Sequence, residues 1–254
     1  MHWSPDDTEL HRQYHNQGFI IIRGFCDAAE LQQLRDDLDH YIDHTVPNLP
    51  SMDVFCEDTA DRQQIRMLPR MQEHSERFRS LLTEGTLFDV ATSLLGMDVV
   101  PKDAAYFNKL PKIGEATPPH QDGYYFHLDP CEALTLWLAL DDVDEDNGCV
   151  HYVRGSHRQG MRDHRRSNVL GFSQHIVGYG TDDDLANEVA ACVSAGDLIV
   201  HDSLTVHRTA PNHSARTRRA LGFVYFSHRA QVDEVAREQY QRTLETELSA
   251  QGKI

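Results

Sequence analysis

The stretch PPHQDGYYF, residues 118–126, sets an imidazole and a carboxylate two positions apart, at His120 and Asp122. Such a pair can hold a metal ion when both side chains enter one hollow. Spacing alone decides nothing, because the chain carries 16 His and 40 acidic residues in 254. Composition predicts about 2.5 His-x-Asp/Glu pairs, and three occur: His74/Glu76, His120/Asp122 and His127/Asp129. Backbone conformation separates them, since residues i and i+2 share a face in extended chain and diverge by about 200° on a helix. His74/Glu76 lies in EHSERFRS, which predicts a solvated helix. Pro118 and Pro119 force extended backbone before His120, and Asp122 precedes Gly123, so both side chains are expected to point into one cavity. His127/Asp129 has the same plausible extended spacing and stands as the competing pair. The i,i+4 pairs His11/His15 and His40/His44 lack the Glu of H-E-x-x-H and are read as surface histidines.

A third donor favours His120 and Asp122. The segment AGDLIVHDSLTVHRTAPNHSARTRRALGFVYF, residues 195–226, carries an apolar strand, then His207 in a turn-rich stretch, then Arg218 at the mouth of another strand. Two histidines and one carboxylate on one face of an octahedral metal leave three positions open. That ligand set suits non-haem Fe(II) working with dioxygen. The planar fork of Arg218 suits the far carboxylate of a dicarboxylic co-substrate.

The H-x-D, the distant His and an Arg eleven residues after it resemble the phytanoyl-CoA dioxygenase family of Fe(II)/2-oxoglutarate oxygenases. LTLWLALDDVDEDNGCVHYVRGSHRQG, residues 134–160, is similar to the family's strand, Asn-Gly turn and Pro-Gly-Ser-His stretch, with Arg154 where Pro is usual. The likeness runs from about 104 to 226, while the first hundred residues match only in a helix-strand-helix outline. The resemblance implies that His120, Asp122 and His207 ligate iron and that Arg218 holds the C5 carboxylate of 2-oxoglutarate, with Arg219 as the alternative if the register slips. It implies that Trp137 lines the co-substrate pocket, that Thr209 and Asn108 offer hydrogen bonds, and that Arg66 stands near the place of a helpful upstream basic residue. The implied reaction consumes dioxygen and 2-oxoglutarate, releases succinate and CO2, and hydroxylates an unactivated C–H bond. Related halogenases have a small residue where Asp122 stands, so the chain is read as a hydroxylase.

Tyr124, His127 and Arg208 are the named candidates for substrate contact, together with Tyr125, Phe126 and parts of 44–70 and 161–192. A small metabolite or natural-product intermediate is the expected substrate class, since the absence of a basic patch weakens the case for a polyanion. Two other readings compete: a cupin-type metalloenzyme that does not use 2-oxoglutarate, and a non-catalytic binding protein that keeps the fold.

The elements that must position these residues fall into three parts. One domain is expected, with a helix-rich part over 1–96, a β core over 97–229 and a C-terminal helix over 230–254. Ser4, Pro5 and Asp7 predict a helix start, FIIIRGF (19–25) a buried strand, and Asp27 with Glu30 a capping box before the helical stripe Leu31, Leu34, Leu38, Tyr41. Residues 44–66 show no clean period and are read as an irregular segment or lid, and 73–95 as helical with a break near Gly85. After residue 97, short apolar strands between Gly, Pro, Asn and Asp turns indicate an antiparallel sandwich or barrel. The resemblance makes it a double-stranded β-helix, the jelly roll of cupin-like proteins. Within ALTLWLA, alternation puts Thr135, Trp137 and Ala139 on one face and the leucines on the other. In the tail, Val232, Val235, Leu244 and Leu248 recur at helical intervals, which predicts a surface helix.

The formal net charge of -16 argues against a nucleic-acid or anionic-membrane surface. Five cysteines, odd in number and without C-x-x-C spacing, are read as reduced thiols. With no apolar run of roughly 20 residues and no apolar leader in MHWSPDDTELHRQ, a cytoplasmic protein is expected.

Overall fold

Asp7 opens the first helix, not Ser4. Its carboxylate accepts the amide N–H groups of Glu9 and Leu10, and α1 (Thr8–Gln17) ends on left-handed Gly18. An aspartate at the cap adds a negative charge at the positive end of the helix, which the Ser4-Pro5 start could not supply. β1 (Phe19–Ile22) follows, then α2 (Ala28–His44), whose Asp27/Glu30 capping box forms as expected and whose stripe Leu31, Leu34, Leu38 and Tyr41 is buried. The computed structural model describes residues 1–5, 7–57, 64–169 and 172–250.

The segment over 44–66 is not wholly irregular. Two 3-10 turns lead into β2 (Phe55–Cys56), which pairs with β3 (Ile65–Leu68). Such short strands are below the length at which a period can be read. Residues 58–63 lie outside the described residues. The expected helical stretch is three pieces, α3 (Met71–His74), α4 (Glu76–Thr83) and α5 (Thr86–Leu95), broken at Ser75 as well as at Gly85 and closed by Gly96.

Next come β4 (Val99–Lys109), β5 (Thr117–His120), the one-turn α6 (Gly123–Phe126), β6 (Leu128–Asp129), β7 (Ala133–Ala139) and β8 (Val150–Val153). The hairpin β9 (His164–Val169) and β10 (Phe172–Ile176), then α7 (Asp182–Asn187) and β11 (Glu188–Ala191), precede the strands that finish the core. Those are β12 (Leu198–Asp202), β13 (His207–Thr209) and β14 (Arg218–Ser227), with β15 (Gln231–Val232) and α8 (Glu234–Ala250) at the end.

Two antiparallel sheets face one another. The larger has seven strands in the order β1-β12-β7-β14-β4-β3-β2, the smaller has four in the order β11-β8-β13-β5. This is the expected double-stranded β-helix, with one correction: β1, β2 and β3 come from the N-terminal part and are strands of the larger sheet. Long-range pairing of this kind leaves no local trace in sequence.

Alternation along β7 sorts the core into two layers. Leu134, Leu136 and Leu138 pack with Leu34, Leu38, Leu87 and Val90 of the helices. Trp137 and Ala139 look the other way, onto Phe19, Tyr152 and Ile199 between the sheets. All five cysteines are free. The tail helix carries its apolar face differently from expectation: Val235 is exposed, while Tyr240 packs on Tyr125 and His127. The side chains of Leu244 and Leu248 lie outside the described residues. Among the described residues no helix is long and apolar enough to cross a membrane.

Candidate active site

His120 and His207 are cross-strand partners, one at the end of β5 and the other at the start of β13. Directly opposed residues in an antiparallel pair point the same way. Their ring centroids are accordingly 4.2 Å apart. Each ring has its tautomer fixed by a backbone carbonyl. His120 Nδ1 donates to Pro118 O at 2.8 Å and His207 Nδ1 to Thr205 O at 2.9 Å. Both Nε2 atoms therefore face Asp122, whose Oδ1 lies 3.4 Å from His120 Nε2 and 3.5 Å from His207 Nε2. The three donors meet within the separations one metal ion would span.

Asp122 reaches this point by a route the sequence does not announce. It is helical, at φ -58 and ψ -36, and not extended. The chain turns after β5 into α6, and the turn needs Gly123: its N–H donates to Ser203 O at 2.8 Å, and a Cβ there would stand 2.5 Å from Cys131 Sγ. The convergence of His120 and Asp122 thus comes from a tight turn against the segment before β13.

The larger sheet orients the carboxylate. Thr135 Oγ1 donates to Asp122 Oδ2 at 2.7 Å and His201 Nε2 donates to the same oxygen at 3.0 Å. Thr135 and His201 are register partners on β7 and β12, so one place in the sheet supplies both donors. Tyr152 in turn hydrogen-bonds His201 Nδ1 at 3.0 Å. Burial pushes the Tyr152 phenol well above its usual range, so it is the donor to that nitrogen. Burial pushes Asp122 up, but the imidazoles of His207, His120 and His201 outweigh it and hold the carboxyl well below its ordinary range. Burial, with the neighbouring His120 ring, holds His207 well below its own. The result is one anionic oxygen and two imidazole nitrogens aimed at a point.

His201 and Thr135 hold Asp122 by hydrogen bonds without joining the donor triad, and such partners are worth about 10–100-fold in metal affinity. His201→Leu should lower Mn(II) or Fe(II) affinity by about that factor, read by equilibrium titration, with the fold retained. An unchanged affinity would remove His201 from the account. His201 is absent from the residues expected at the site, although alternation in LIVHD places it beside Ile199 on the inner face.

One cavity connects this cluster to the residues proposed for the co-substrate. His120, Asp122, His207, Trp137, Thr209, Asn108, Arg66 and Arg218 all border it, together with Lys109 and Tyr152. Arg218 is buried, stacks over Trp137 at 5.2 Å, and its Nε has no hydrogen-bond partner. Burial depresses it to about 10, which still leaves it charged at neutral pH. Among the described residues no carboxylate pairs with it. A buried, unpaired guanidinium is costly unless something anionic joins it. Arg219, the alternative, points away and is bound by Asp141 at 2.9 Å. Thr209 Oγ1 accepts the Thr117 N–H, and Asn108 donates to Ile65 O while its Oδ1 is buried and unpartnered. Arg66 meets Glu57 at 3.4 Å and Glu115 at 3.5 Å.

The substrate candidates separate. Tyr124 stacks on His164 at 4.3 Å and borders a groove with Arg165, Gln174 and Tyr240. His127, in left-handed backbone, packs on Tyr240 with Nε2 buried and unpartnered, away from the cavity. Arg208 is turned outward by strand alternation and is bound to Glu188 at 2.7 Å, so it does not border the cavity. Of the described residues in 44–70 and 161–192, Arg66 alone does; residues 58–63 and 170–171 lie outside the described ones.

The competing metal pairs disperse. Asp129 is exposed, and His127/Asp129 gathers no third donor among the described residues. His74 is not simply solvated, since it hydrogen-bonds Asp53 at 3.0 Å. His40 and His44 stack on each other, and His11 meets Ser93. Among the described residues the one other cluster is His2, Asp27 and Glu30, whose two acids are already the cap of α2.

Comparison with known proteins bears on this geometry. The family model of phytanoyl-CoA dioxygenase matches residues 14–220. A phytanoyl-CoA dioxygenase of Arabidopsis thaliana is 25% identical over 251 residues, covering 85% of this chain and 86% of its own. One from Oryza sativa subsp. japonica is 35% identical over 116 residues, 46% of this chain and 41% of its own. Among solved structures, the non-heme alpha ketoglutarate dependent carbocyclase SnoK of nogalamycin biosynthesis superposes with TM-score 0.72 at 23% identity, covering 91% of this chain and 88% of its own. EctD from S. alaskensis, solved with 2-oxoglutarate and 5-hydroxyectoine, gives 0.71 at 20% identity, covering 89% and 79%.

Proposed function

From the premise that the chain belongs to the phytanoyl-CoA dioxygenase family, whose members are Fe(II)- and 2-oxoglutarate-dependent oxygenases, we propose that it hydroxylates an unactivated C–H bond of a small molecule and releases succinate and CO2. His120, Asp122 and His207 are the proposed iron ligands, and Arg218 the anchor for the far carboxylate of 2-oxoglutarate. The observation that carries the reading is the pairing of a tautomer-fixed His-Asp-His cluster with a buried, unpaired guanidinium in the same cavity. A metalloenzyme without 2-oxoglutarate has no use for that unpaired cation.

The donor set fits the group it would hold: two neutral nitrogens and one carboxylate oxygen on one side, with the cavity on the other. Bound there, iron with 2-oxoglutarate would supply the oxidising chemistry. The chain's own residues do the positioning. Pro118 O and Thr205 O keep the two rings turned inward, while His201 and Thr135 keep Asp122 Oδ2 from rotating toward the metal. Trp137 and Arg218 define the far wall, and the apolar layer behind them excludes water. No side chain is required to act as base on the substrate.

Solved proteins of this fold include an epimerase and a carbocyclase, so the test has to read the product as well as succinate. With Fe(II) and 2-oxoglutarate, a panel of small metabolites is expected to contain one that stimulates succinate release in step with a product heavier by one oxygen atom. A product formed in step with succinate but without added oxygen would overturn hydroxylation. Turnover indifferent to 2-oxoglutarate would overturn the co-substrate.

A further inference from the structure

We propose that Lys109 is a second cationic anchor for the far carboxylate of the co-substrate, standing beside Arg218. The inference rests on the proposed binding of 2-oxoglutarate. The β14/β4 register pairs Arg218 with Lys109 and Ala220 with Phe107. Cross-strand partners share a face, and Ala220 and Phe107 belong to the inner layer with Trp137. Lys109 therefore points inward with Arg218, and both border the same cavity. Asn108, the neighbour singled out from sequence, pairs instead with outward-facing Arg219.

Lys109 is 4% exposed and its ammonium donates to the backbone carbonyl of Glu115. That neutral acceptor does not balance a charge. The charged groups that face it are Arg218 of β14, Arg66 of β3, Glu57 just after β2 and Glu115 just before β5. Glu57 and Glu115 are both drawn to Arg66, which leaves Lys109 and Arg218 without a carboxylate among the described residues. Arg218 and Lys109 stand side by side across one strand pair, and once Lys109 is protonated one carboxylate can accept from both. Burial and the two guanidiniums push the empty-site lysine down to about 6. Binding a carboxylate has to raise it, so binding takes up a proton. By linkage the contribution is fully present below about pH 6 and fades as pH climbs through the higher, bound-state value.

The test is calorimetric titration of 2-oxoglutarate into the full chain loaded with Mn(II), a redox-silent stand-in, in two buffers of different ionisation enthalpy. Near neutral pH the unsubstituted protein is expected to take up close to one proton per 2-oxoglutarate bound. Lys109→Met should bind about tenfold more weakly or worse, with no uptake, and Lys109→Arg should bind well, also with no uptake. Should Lys109→Met not fold, the unsubstituted protein decides alone: its Kd should rise steadily above about pH 6, and a flat Kd overturns the proposal. Binding and uptake unchanged in Lys109→Met overturn it too, while leaving 2-oxoglutarate as co-substrate. Absence of any binding to the unsubstituted Mn(II) protein strikes the proposed function itself.

Discussion

Asp122→Ala is expected to abolish turnover and to weaken Fe(II) or Mn(II) binding by more than roughly 100-fold, beyond the range that loss of a supporting hydrogen bond produces. On the proposed assignment Asp122 Oδ1 is the one anionic donor of the cluster. The substitution removes that charge and strands two donors, Thr135 Oγ1 and His201 Nε2, that now point at nothing. Buried donors left this way cost about 1–3 kcal/mol each, so a fall in Tm should accompany the loss of metal. Asp122→Asn keeps the shape and separates the effects: stability should recover in part, metal affinity should not. Retained metal affinity in Asp122→Ala would place the ion elsewhere and remove the centre described above.

Arg218→Met should raise the 2-oxoglutarate Kd by about 2–5 kcal/mol, the range found when one partner of a buried charge pair is truncated, which is roughly 30-fold to several-thousand-fold. Metal affinity should be unchanged. The empty-site stability should hold or rise, because a buried guanidinium with an unpartnered Nε is a cost to the free protein. A purely structural arginine would show the reverse, lost stability with intact binding. Arg219→Met is the natural control: its partner is Asp141, outside the cavity, so it should cost stability and leave 2-oxoglutarate binding alone. Equal 2-oxoglutarate affinity in Arg218→Met and the parent would favour the metalloenzyme that works without this co-substrate.

The sequence makes some of this arrangement legible and hides the rest for identifiable reasons. Strands β7, β8, β12 and β14 are visible because each is a short apolar run between turn residues, and Trp137 is visible as an inward position because alternation needs no knowledge of the partner strand. His120, Asp122 and His207 converge by a different backbone from the extended H-x-D that Pro118 and Pro119 predict: the chain supplies a strand end followed by a helical turn. What could not be read depends on register. His201 matters because it lies opposite Thr135, Lys109 because it lies opposite Arg218, and neither pairing is written locally. The same holds for β1, β2 and β3, which join the larger sheet across long stretches of chain. Arg208 stands outside the cavity for a local reason: between inward His207 and Thr209, it has to face out.

His120 and His207 belong to the smaller sheet, Arg218 and Lys109 to the larger, and the cavity is the gap between them. Facing sheets stand roughly 10 Å apart, a distance fixed by the bulk of the side chains packed between them. A molecule that must touch both walls at once is then gauged against that separation, much as callipers gauge a rod. Trimming Phe19 or Ile199, neither of which borders the cavity, would alter the setting of the jaws and so change which length of diacid is accepted.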